Sequence, residues 1–235
     1  ELQSQSTKSY AVFCLKKKRA ADGKALVAGD LTMTGHQLKP MGPLDFEELI
    51  DVYKEQIRYI TEAGADLLVV ETMMSLQESR AALIAAKETC PDIPVMVTMT
   101  FESDGRSLFG TDAATAAIVL SSLGADAVGA NCSTGPDQMA EVIRRMAKVT
   151  DIPIIAKPNA GLPSLDEKGQ TVYDMGPEEF GADMELLLDA GAQILGGCCG
   201  TTPEHIRKMT HRLAGRPVPV HGNLTQRALT SERAS

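Results

Sequence analysis

One pattern constrains the fold of this chain more than any other, because it occurs three times. A glycine in a helix-ending position is followed shortly afterwards by an apolar run with strand character, in the segments 62–72, 122–132 and 189–199. A glycine just past a helix end accepts left-handed backbone angles without the penalty that a Cβ atom brings. The intervals between these segments leave room for two strand–helix units each, which indicates a repeated strand–helix architecture.

Further apolar runs between these segments complete a count of six predicted strands. The strands are expected at about 25–30, 65–71, 93–100, 127–132, 153–158 and 192–198. Amphipathic or Ala-rich segments predicted as helices separate them. Continuous apolar strands that alternate with helices indicate a parallel sheet whose two faces are both covered.

Two α/β architectures contain such units, the closed barrel and the doubly wound open sheet. We favour the (βα)8 TIM-type barrel, because residues that can do chemistry stand at the C-terminal ends of several strands, and in a barrel these ends converge on one mouth. Residues 1–24 cannot supply two more strands, and 11–21 read as one short helix. We therefore expect an incomplete barrel of about six units in a domain at 1–215, with a linker or disordered tail at 216–235.

Composition excludes several classes of protein. The net charge of −8 argues against nucleic acid or an anionic membrane as the main partner, because both require a basic surface. No apolar run approaches the roughly 18 residues needed to span a bilayer, and residues 1–10 do not resemble a signal peptide. The five cysteines are irregularly spaced, which is unlike a secreted disulfide scaffold. We therefore expect a cytoplasmic protein with free thiols.

Three of these cysteines stand at predicted strand ends. Cys132 follows one strand, and Cys198 with Cys199 ends another within a glycine-rich run. Three thiols from two strand ends suit a catalytic zinc, which takes three protein ligands and keeps one open position. Adjacent residues in a regular strand point to opposite faces, so we expect the flanking glycines to adopt backbone angles that turn both sulfurs toward one centre.

Two other interpretations of the cysteines stay open. Free cysteine is often a small buried hydrophobe, and this explanation is strongest for Cys14 and Cys90, which lie in helical patterns without a partner. A vicinal disulfide between Cys198 and Cys199 is less favoured, because the small ring that it closes is strained.

The chemistry of a three-thiolate zinc is distinctive. Such a centre carries a net charge of −1, so it generates hydroxide poorly. It can instead hold another thiol as a thiolate below the usual thiol pKa of about 8.5, and the bound sulfur stays nucleophilic. The donor set therefore favours alkyl transfer to a thiol.

Several motifs resemble those of the homocysteine S-methyltransferases, a family that includes the homocysteine-binding domain of methionine synthases and the betaine-dependent enzymes. The motifs that carry this resemblance are G-A-N-C-S-T-G-P (129–136), K-P-N-A-G-L-P (157–163) and G-G-C-C-G-T-T-P-E-H-I (196–206). Segments similar to the bacterial cobalamin-dependent branch are found at 40–49, 69–74 and 171–180. The resemblance runs from about residue 11 to residue 215.

The resemblance implies a fold, a set of metal ligands, a substrate and a methyl donor. In that family Zn²⁺ is held in a (βα)8 barrel by three cysteines that match Cys132, Cys198 and Cys199, and homocysteine thiolate takes the fourth position. A methyl group from methylcobalamin on another domain or protein converts homocysteine to methionine, whereas relatives use betaine or S-methylmethionine. The implied partners are homocysteine and cobalamin-binding and methyltetrahydrofolate-binding domains or proteins.

Two further residues acquire roles from the resemblance. Glu71 matches the strand-end glutamate that binds the homocysteine amino group, and its alternative is a solvated helix-capping residue. Asn159 matches the asparagine of the family's Pro-Asn-Ala-Gly turn beside the metal, and its alternative is a turn residue in the left-handed conformation.

The chain also departs from the family pattern. The family's Asp-Gly-x-x-Gly-Thr strand, which holds the amino-acid end of homocysteine, is missing, and so is its Thr-Asn-Thr-Phe motif. We therefore expect a fragment without the first two strand–helix units, prone to self-association and poor in catalysis. An inactive zinc-binding unit is one alternative, and an aldolase-like barrel with Lys157 as its Schiff-base lysine is another.

Overall fold

The computed structural model describes residues 22–222 and 230–231 of the 235-residue chain. Its main sheet contains six parallel strands. A separate two-stranded antiparallel hairpin, β6–β7, lies between the fifth and sixth of them in the sequence. The strands are β1 (Ala28–Leu31), β2 (Leu67–Met73), β3 (Val95–Met99), β4 (Ala127–Asn131), β5 (Ile154–Lys157), β6 (Pro163–Leu165), β7 (Thr171–Tyr173) and β8 (Ile194–Leu195).

Helices follow the strands of the main sheet. They are α1 (Phe46–Glu62), α2 (Leu76–Thr89), α3 (Ala113–Ser122), α4 (Pro136–Ala147), α5 (Pro177–Ala190) and α6 (Pro203–Leu213). Each predicted strand and helix within the described residues is found, with its ends displaced by a few residues at most. The short helix expected at 11–21 lies outside the described residues.

The order of the strands distinguishes the two candidate architectures. Along the sheet it is β1-β2-β3-β4-β5-β8, so each strand lies next to the strand of this sheet that precedes it in the chain. A doubly wound sheet reverses its order at a switch point, whereas a barrel winds in one direction. The barrel-type fold is therefore confirmed, with six strands in the part of the chain that the structure describes.

The repeated glycine segments build the lower end of the sheet, where the strands begin. Gly64, Gly124 and Gly191 all have positive φ angles, as the helix-ending position requires. The aspartate that follows two of them binds the backbone at the start of a neighbouring strand. The Val27 amide donates to Asp66 Oδ2 at 2.9 Å, and the Val95 amide donates to Asp126 Oδ2 at 2.8 Å.

The third repeat has glutamine in place of the aspartate. Gln193 Nε2 donates to the Pro219 carbonyl at 2.8 Å, and His221 Nε2 lies 2.8 Å from the Gly191 carbonyl oxygen. Residues 216–222 therefore contact the same lower end. The proposed domain boundary near residue 215 stays a prediction.

The core lies between the sheet and its helices and is mostly aliphatic. Leu68 and Val70 of β2 are fully buried, as are Val95 and Val97 of β3. Alanines line the inner face of α2, where Ala81, Ala82, Ala85 and Ala86 are also fully buried. These small side chains let the helix approach the sheet closely. Within the described residues, no helix combines the length and the hydrophobicity needed to cross a membrane.

The β6–β7 hairpin was not predicted. Its strands are three residues each, and Leu165 and Val172 are exposed, so it has no buried face that would produce an alternating pattern. Its turn is nevertheless well formed, because Asp166 Oδ1 accepts hydrogen bonds from the Lys168 and Gln170 amides at 2.8 Å. The hairpin brings Tyr173 next to Gly200, beside the paired cysteines.

Candidate metal centre

The three strand-end cysteines come together at the C-terminal end of the sheet. Cys132 directly follows β4, and Cys198 and Cys199 follow β8, with β5 between them in the sheet. Their sulfur atoms lie within 4.8 Å of one another, and Cys132 Sγ is 3.8 Å from Cys199 Sγ. Two sulfurs that are each roughly 2.3 Å from a tetrahedral zinc lie about 3.8 Å apart. The spacing therefore fits a zinc ion.

Among the described residues, no other group of three histidine, cysteine, aspartate or glutamate side chains converges in this way. The candidate metal ligands in the described part of the chain are therefore Cys132, Cys198 and Cys199. Cys90 lies far from the cluster in sequence, and its Sγ lies 3.3 Å from the Ala86 carbonyl oxygen at the end of α2. This contact agrees with a packing role for that thiol.

The backbone at Cys132 has an uncommon conformation. Cys132 and Ser133 have φ angles of 63° and 62°, in the left-handed region that non-glycine residues rarely occupy. The conformation is held by two hydrogen bonds, from the Cys132 amide to the Lys157 carbonyl at 3.0 Å and from the Thr134 amide to the Cys132 carbonyl at 2.7 Å. Each left-handed residue costs about 1–2 kcal/mol, so the surrounding contacts must impose this turn.

The Cys198–Cys199 turn is anchored from the segment after β5. The Cys198 amide donates to the Pro158 carbonyl at 2.8 Å, and the Cys199 amide donates to Asn159 Oδ1 at 3.2 Å. Of the three glycines around this pair, only Gly200 has a positive φ, of 79°. Gly197 is needed for space instead, because a Cβ atom there would collide with Thr201. The expectation that all the glycines supply special backbone angles is therefore wrong.

The thiols are electrostatically unequal. A hydrogen bond with the Cys198 side chain lowers the pKa of Cys132 to about 7, which outweighs the effect of burial. The same hydrogen bond and burial raise the pKa of Cys198. The cluster therefore favours one thiolate, that of Cys132, near neutral pH. A cation that binds there is attracted by this negative charge and displaces the protons of the other two thiols.

A buried asparagine beside the cysteines, Asn131, is a residue of the site that the sequence motifs do not indicate. Asn131 Oδ1 accepts from the Thr72 amide at 2.8 Å and from Thr98 Oγ1 at 2.7 Å. Asn131 Nδ2 donates to Thr72 Oγ1 at 2.8 Å and to Cys198 Sγ at 3.7 Å. One side chain therefore connects the ends of β2 and β3 to the cluster. The signal that could have revealed it is a polar residue at the end of an otherwise apolar buried strand.

Glu71 lies within β2 and not at a helix end, so its alternative as a helix-capping residue is wrong. Its carboxylate forms an ion pair with Lys157 Nζ, and the two side chains are 25% and 20% exposed. Burial lowers the pKa of Lys157, against the opposing charges of Cys198 and Asp30. The ion pair gives Lys157 a role different from that of the Schiff-base lysine considered in the aldolase-like alternative.

Asn159 is buried and does not have a positive φ angle, so its alternative as a left-handed turn residue is also wrong. Its side chain accepts from the Cys199 amide, and its own amide donates to the Thr134 carbonyl at 3.0 Å. Asn159 thereby joins the two cysteine-bearing turns.

The fold and the site define a class: an α/β barrel protein with a candidate thiolate metal centre at the C-terminal ends of its strands. The chain matches the family model of homocysteine S-methyltransferase over residues 3–213. It therefore belongs to the homocysteine S-methyltransferase family, as the motifs indicated.

Individual relatives agree with this family. The chain is 35% identical over 198 residues to a methionine synthase of Mycobacterium leprae and 34% identical over 198 residues to one of Mycobacterium tuberculosis. Each match covers 82% of this chain but 16% of the relative. The chain thus corresponds to a small part of these longer proteins.

Solved structures support the fold. The apo form of the homocysteine methyltransferase MmuM from Escherichia coli matches with a TM-score of 0.72 and 21% identity, over 89% of this chain and 75% of that one. A metallated form of the same enzyme matches with a TM-score of 0.72 and 20% identity, over 89% of this chain and 72% of that one. At this identity the likeness bears on the fold alone, and it agrees with the barrel.

Proposed function

We propose that this chain carries out zinc-dependent methyl transfer to the thiol of homocysteine, giving methionine, with methylcobalamin as the methyl donor. The observation that carries the proposal is the convergence of Cys132, Cys198 and Cys199 in a member of this family. The greater sequence identity to methionine synthases than to MmuM favours cobalamin over other methyl donors.

The proposed zinc ligands are the sulfurs of Cys132, Cys198 and Cys199, which are also the catalytic residues. Their spacing fits a tetrahedral ion with one position left for a substrate. Zinc bound by three thiolates stabilises a further thiolate while leaving it nucleophilic, which is the property that methyl transfer to homocysteine needs.

The remaining residues of the site position these groups. Asn159 holds the Cys199 amide, and Asn131 contacts the Cys198 sulfur. Glu71 and Asn159 are the proposed substrate-binding residues. Glu71 supplies a carboxylate for the substrate ammonium, and Asn159 lies beside the metal ligands. In the transfer itself, the substrate thiol loses its proton and its sulfur forms a bond to the methyl carbon. The electron pair of the broken bond leaves with the donor.

The donor and its regeneration require other domains. We propose that residues 1–215 form the homocysteine-binding unit of a cytoplasmic enzyme and that 216–235 link it to its neighbours. Cobalamin-binding and methyltetrahydrofolate-binding domains or proteins are the proposed partners. The long methionine synthases that the chain resembles support this arrangement.

Self-association is a further expectation. In the described part of the chain, β1 and β8 stand at the two ends of the strand order. Apolar parallel strands at the end of a sheet can accept strands from another chain. Size-exclusion chromatography at two protein concentrations tests this, and a monomer at both concentrations would contradict it.

The function is tested by three measurements on the purified chain. Zinc content should approach one ion per chain, homocysteine should bind only to the zinc-loaded protein, and free methylcobalamin should be demethylated when homocysteine is added. Zinc-free protein that still binds homocysteine tightly would overturn the mechanism. Zinc and thiol binding without turnover would favour the alternative of an inactive zinc-binding unit.

A further inference from the structure

Charged side chains from three strands interact with one another near the C-terminal end of the sheet. Lys157 at the end of β5 forms an ion pair with Glu71 of β2. Asp30 of β1 lies close enough for its charge to interact with that of Lys157. Two carboxylates, from β1 and β2, therefore interact with one ammonium from β5, on strands that are not all neighbours in the sheet.

The Lys157–Glu71 pair is adjacent to the proposed metal ligands. The Lys157 carbonyl accepts the Cys132 amide at 3.0 Å, and the Lys157 charge interacts with Cys198. The lysine stem passes close to Gly196, where a Cβ atom would be 3.3 Å from Lys157 Cγ. The absence of a side chain at Gly196 therefore leaves room for the lysine stem.

The Lys157–Glu71 ion pair contributes little net stability to the fold. Removing two charges from water costs several kcal/mol per ion, and their attraction does little more than recover that cost. An apolar pair of similar size would serve packing equally well. A half-buried ion pair at the mouth of a barrel therefore suggests a use for its two charges.

We propose that Lys157 is a substrate-binding residue that takes the α-carboxylate of an amino-acid thiol while Glu71 takes its ammonium. This inference rests on the proposed function, and it names the part of the site that recognises the amino-acid end of the substrate. The substrate zwitterion inserts between Lys157 and Glu71 and exchanges one internal ion pair for two intermolecular ones.

Charge balance favours this exchange. A glutamate alone would pair the substrate ammonium and leave the substrate carboxylate without a cation. With Lys157 present, every charge on both molecules keeps a partner. The two protein charges are already partly desolvated before the substrate arrives, so less of that cost falls on binding. Asp30 adds a second carboxylate near Lys157, which can hold the lysine in the mouth when the exchange occurs.

The exchange predicts a specific selectivity among thiols. Homocysteine satisfies both charges, 4-mercaptobutanoate has only the carboxylate, and 3-aminopropane-1-thiol has only the ammonium. Either truncated thiol would have to separate Lys157 from Glu71 and leave one of them unpaired. We expect each to bind the zinc-loaded wild-type chain about tenfold to a hundredfold more weakly than homocysteine, the value of one charged hydrogen bond.

The test is isothermal titration of these three thiols into zinc-loaded wild type, Lys157→Met and Glu71→Gln. In Lys157→Met, affinity for homocysteine should fall about tenfold to a hundredfold. Affinity for 3-aminopropane-1-thiol should stay the same or rise, because Glu71 no longer has to release the lysine. Glu71→Gln should show the reverse, with 4-mercaptobutanoate bound as well as before or better.

The controls separate recognition from folding. Lys157→Arg keeps the charge and should retain much of the preference for homocysteine. Lys87→Met removes a lysine from the Lys87–Asp126 ion pair at the other end of the sheet, and should leave all three affinities unchanged. Zinc content and the thermal midpoint are measured for every variant. If Lys157→Met is unfolded, Lys157→Gln supplies the same comparison.

Two outcomes would overturn the inference in different ways. If the wild type binds the three thiols equally well, or if Lys157→Met weakens all three by the same factor, Lys157 does not recognise the carboxylate, although the proposed function stands. If the zinc-loaded wild type binds no thiol at all, the proposed function fails and this inference fails with it.

Discussion

The two ends of the sheet use the backbone differently. At the lower end, the positive φ angles belong to Gly64, Gly124 and Gly191, which end helices at no steric cost. At the upper end, where the strands finish and the cysteines lie, Thr72, Cys132 and Ser133 adopt φ angles of 60°, 63° and 62°. A β-branched threonine in this region is a clear outlier. Backbone strain is therefore found at the end of the sheet that carries the three cysteines.

Side-chain hydrogen bonds differ in the same way. Asp66 and Asp126 repeat one interaction at the lower end, each accepting one strand amide. At the upper end, where the strands finish, the equivalent positions of the three repeats hold different residues, Glu71, Asn131 and Cys198. Asn131 joins Thr72, Thr98 and Cys198 in one network. At the lower end the same aspartate–amide hydrogen bond occurs twice, whereas the hydrogen bonds at the upper end occur once each. This difference fits the division of barrels into a stabilising face and a functional face.

The largest effect is expected from removing a metal ligand. Cys199→Ser should lower zinc affinity by orders of magnitude, because a hydroxyl is a poor substitute for a thiolate, and should leave the circular dichroism spectrum largely unchanged. The matched control is Cys90→Ser, which alters a thiol at the end of α2 and should leave zinc affinity as it is. Equal zinc affinity in Cys199→Ser and wild type would exclude this cysteine as a ligand.

The next effect concerns the Asn131 network. Asn131→Ala leaves the Thr72 amide and the Thr98 hydroxyl without this partner in a buried site, so the free energy of unfolding should fall by about 3 kcal/mol. Zinc affinity should also fall, by about tenfold to a hundredfold, as for other residues that orient ligands. Urea unfolding and competition with a zinc chelator measure the two effects. A loss of stability without a loss of zinc affinity would restrict Asn131 to a structural role.

A smaller effect is expected at the lower end, where Asp126→Asn should cost about 1 kcal/mol of stability and leave zinc affinity unchanged. Burial tends to raise the pKa of Asp126, but the Lys87 ammonium and the Val95 amide lower it overall. The charge therefore contributes stability above the unfolded pKa of about 3.9, and the contribution is lost as the pH falls through the folded value. Wild type and variant should accordingly converge in urea unfolding at low pH.

The smallest effect tests backbone strain. Ser133→Gly should raise the free energy of unfolding by about 0.5 kcal/mol, because relief of a left-handed residue slightly exceeds the entropy cost of glycine. The opposite change at the lower end, Gly191→Ala, should destabilise, because its Cβ atom would lie 2.8 Å from that of Ala147. Destabilisation by Ser133→Gly would show that the serine side chain makes a contribution larger than the strain.

Sequence patterns revealed the lower end and the strands well. Helix-ending glycines and apolar runs are local signals, so they placed the six strands of the main sheet and the adjoining helices within a few residues. The cysteines could be assigned to one site because parallel strands end on the same side. The Lys157–Glu71 pair and the Asn131 network join residues far apart in the chain, and nothing in the local pattern at either residue specifies the partner. The β6–β7 hairpin was missed because it buries too little to leave a periodic signal.

The sulfur cluster also has a consequence for how the molecule unfolds. Cys132 and the Cys198–Cys199 pair close a loop that contains α4, β5, the hairpin, α5 and β8. A zinc ion bound there would act as a reversible cross-link, and its binding free energy would have to be supplied before any of these elements could open. Hydrogen exchange in the loop would then slow as zinc is added, while α1 and α2 would keep the rates of the zinc-free chain.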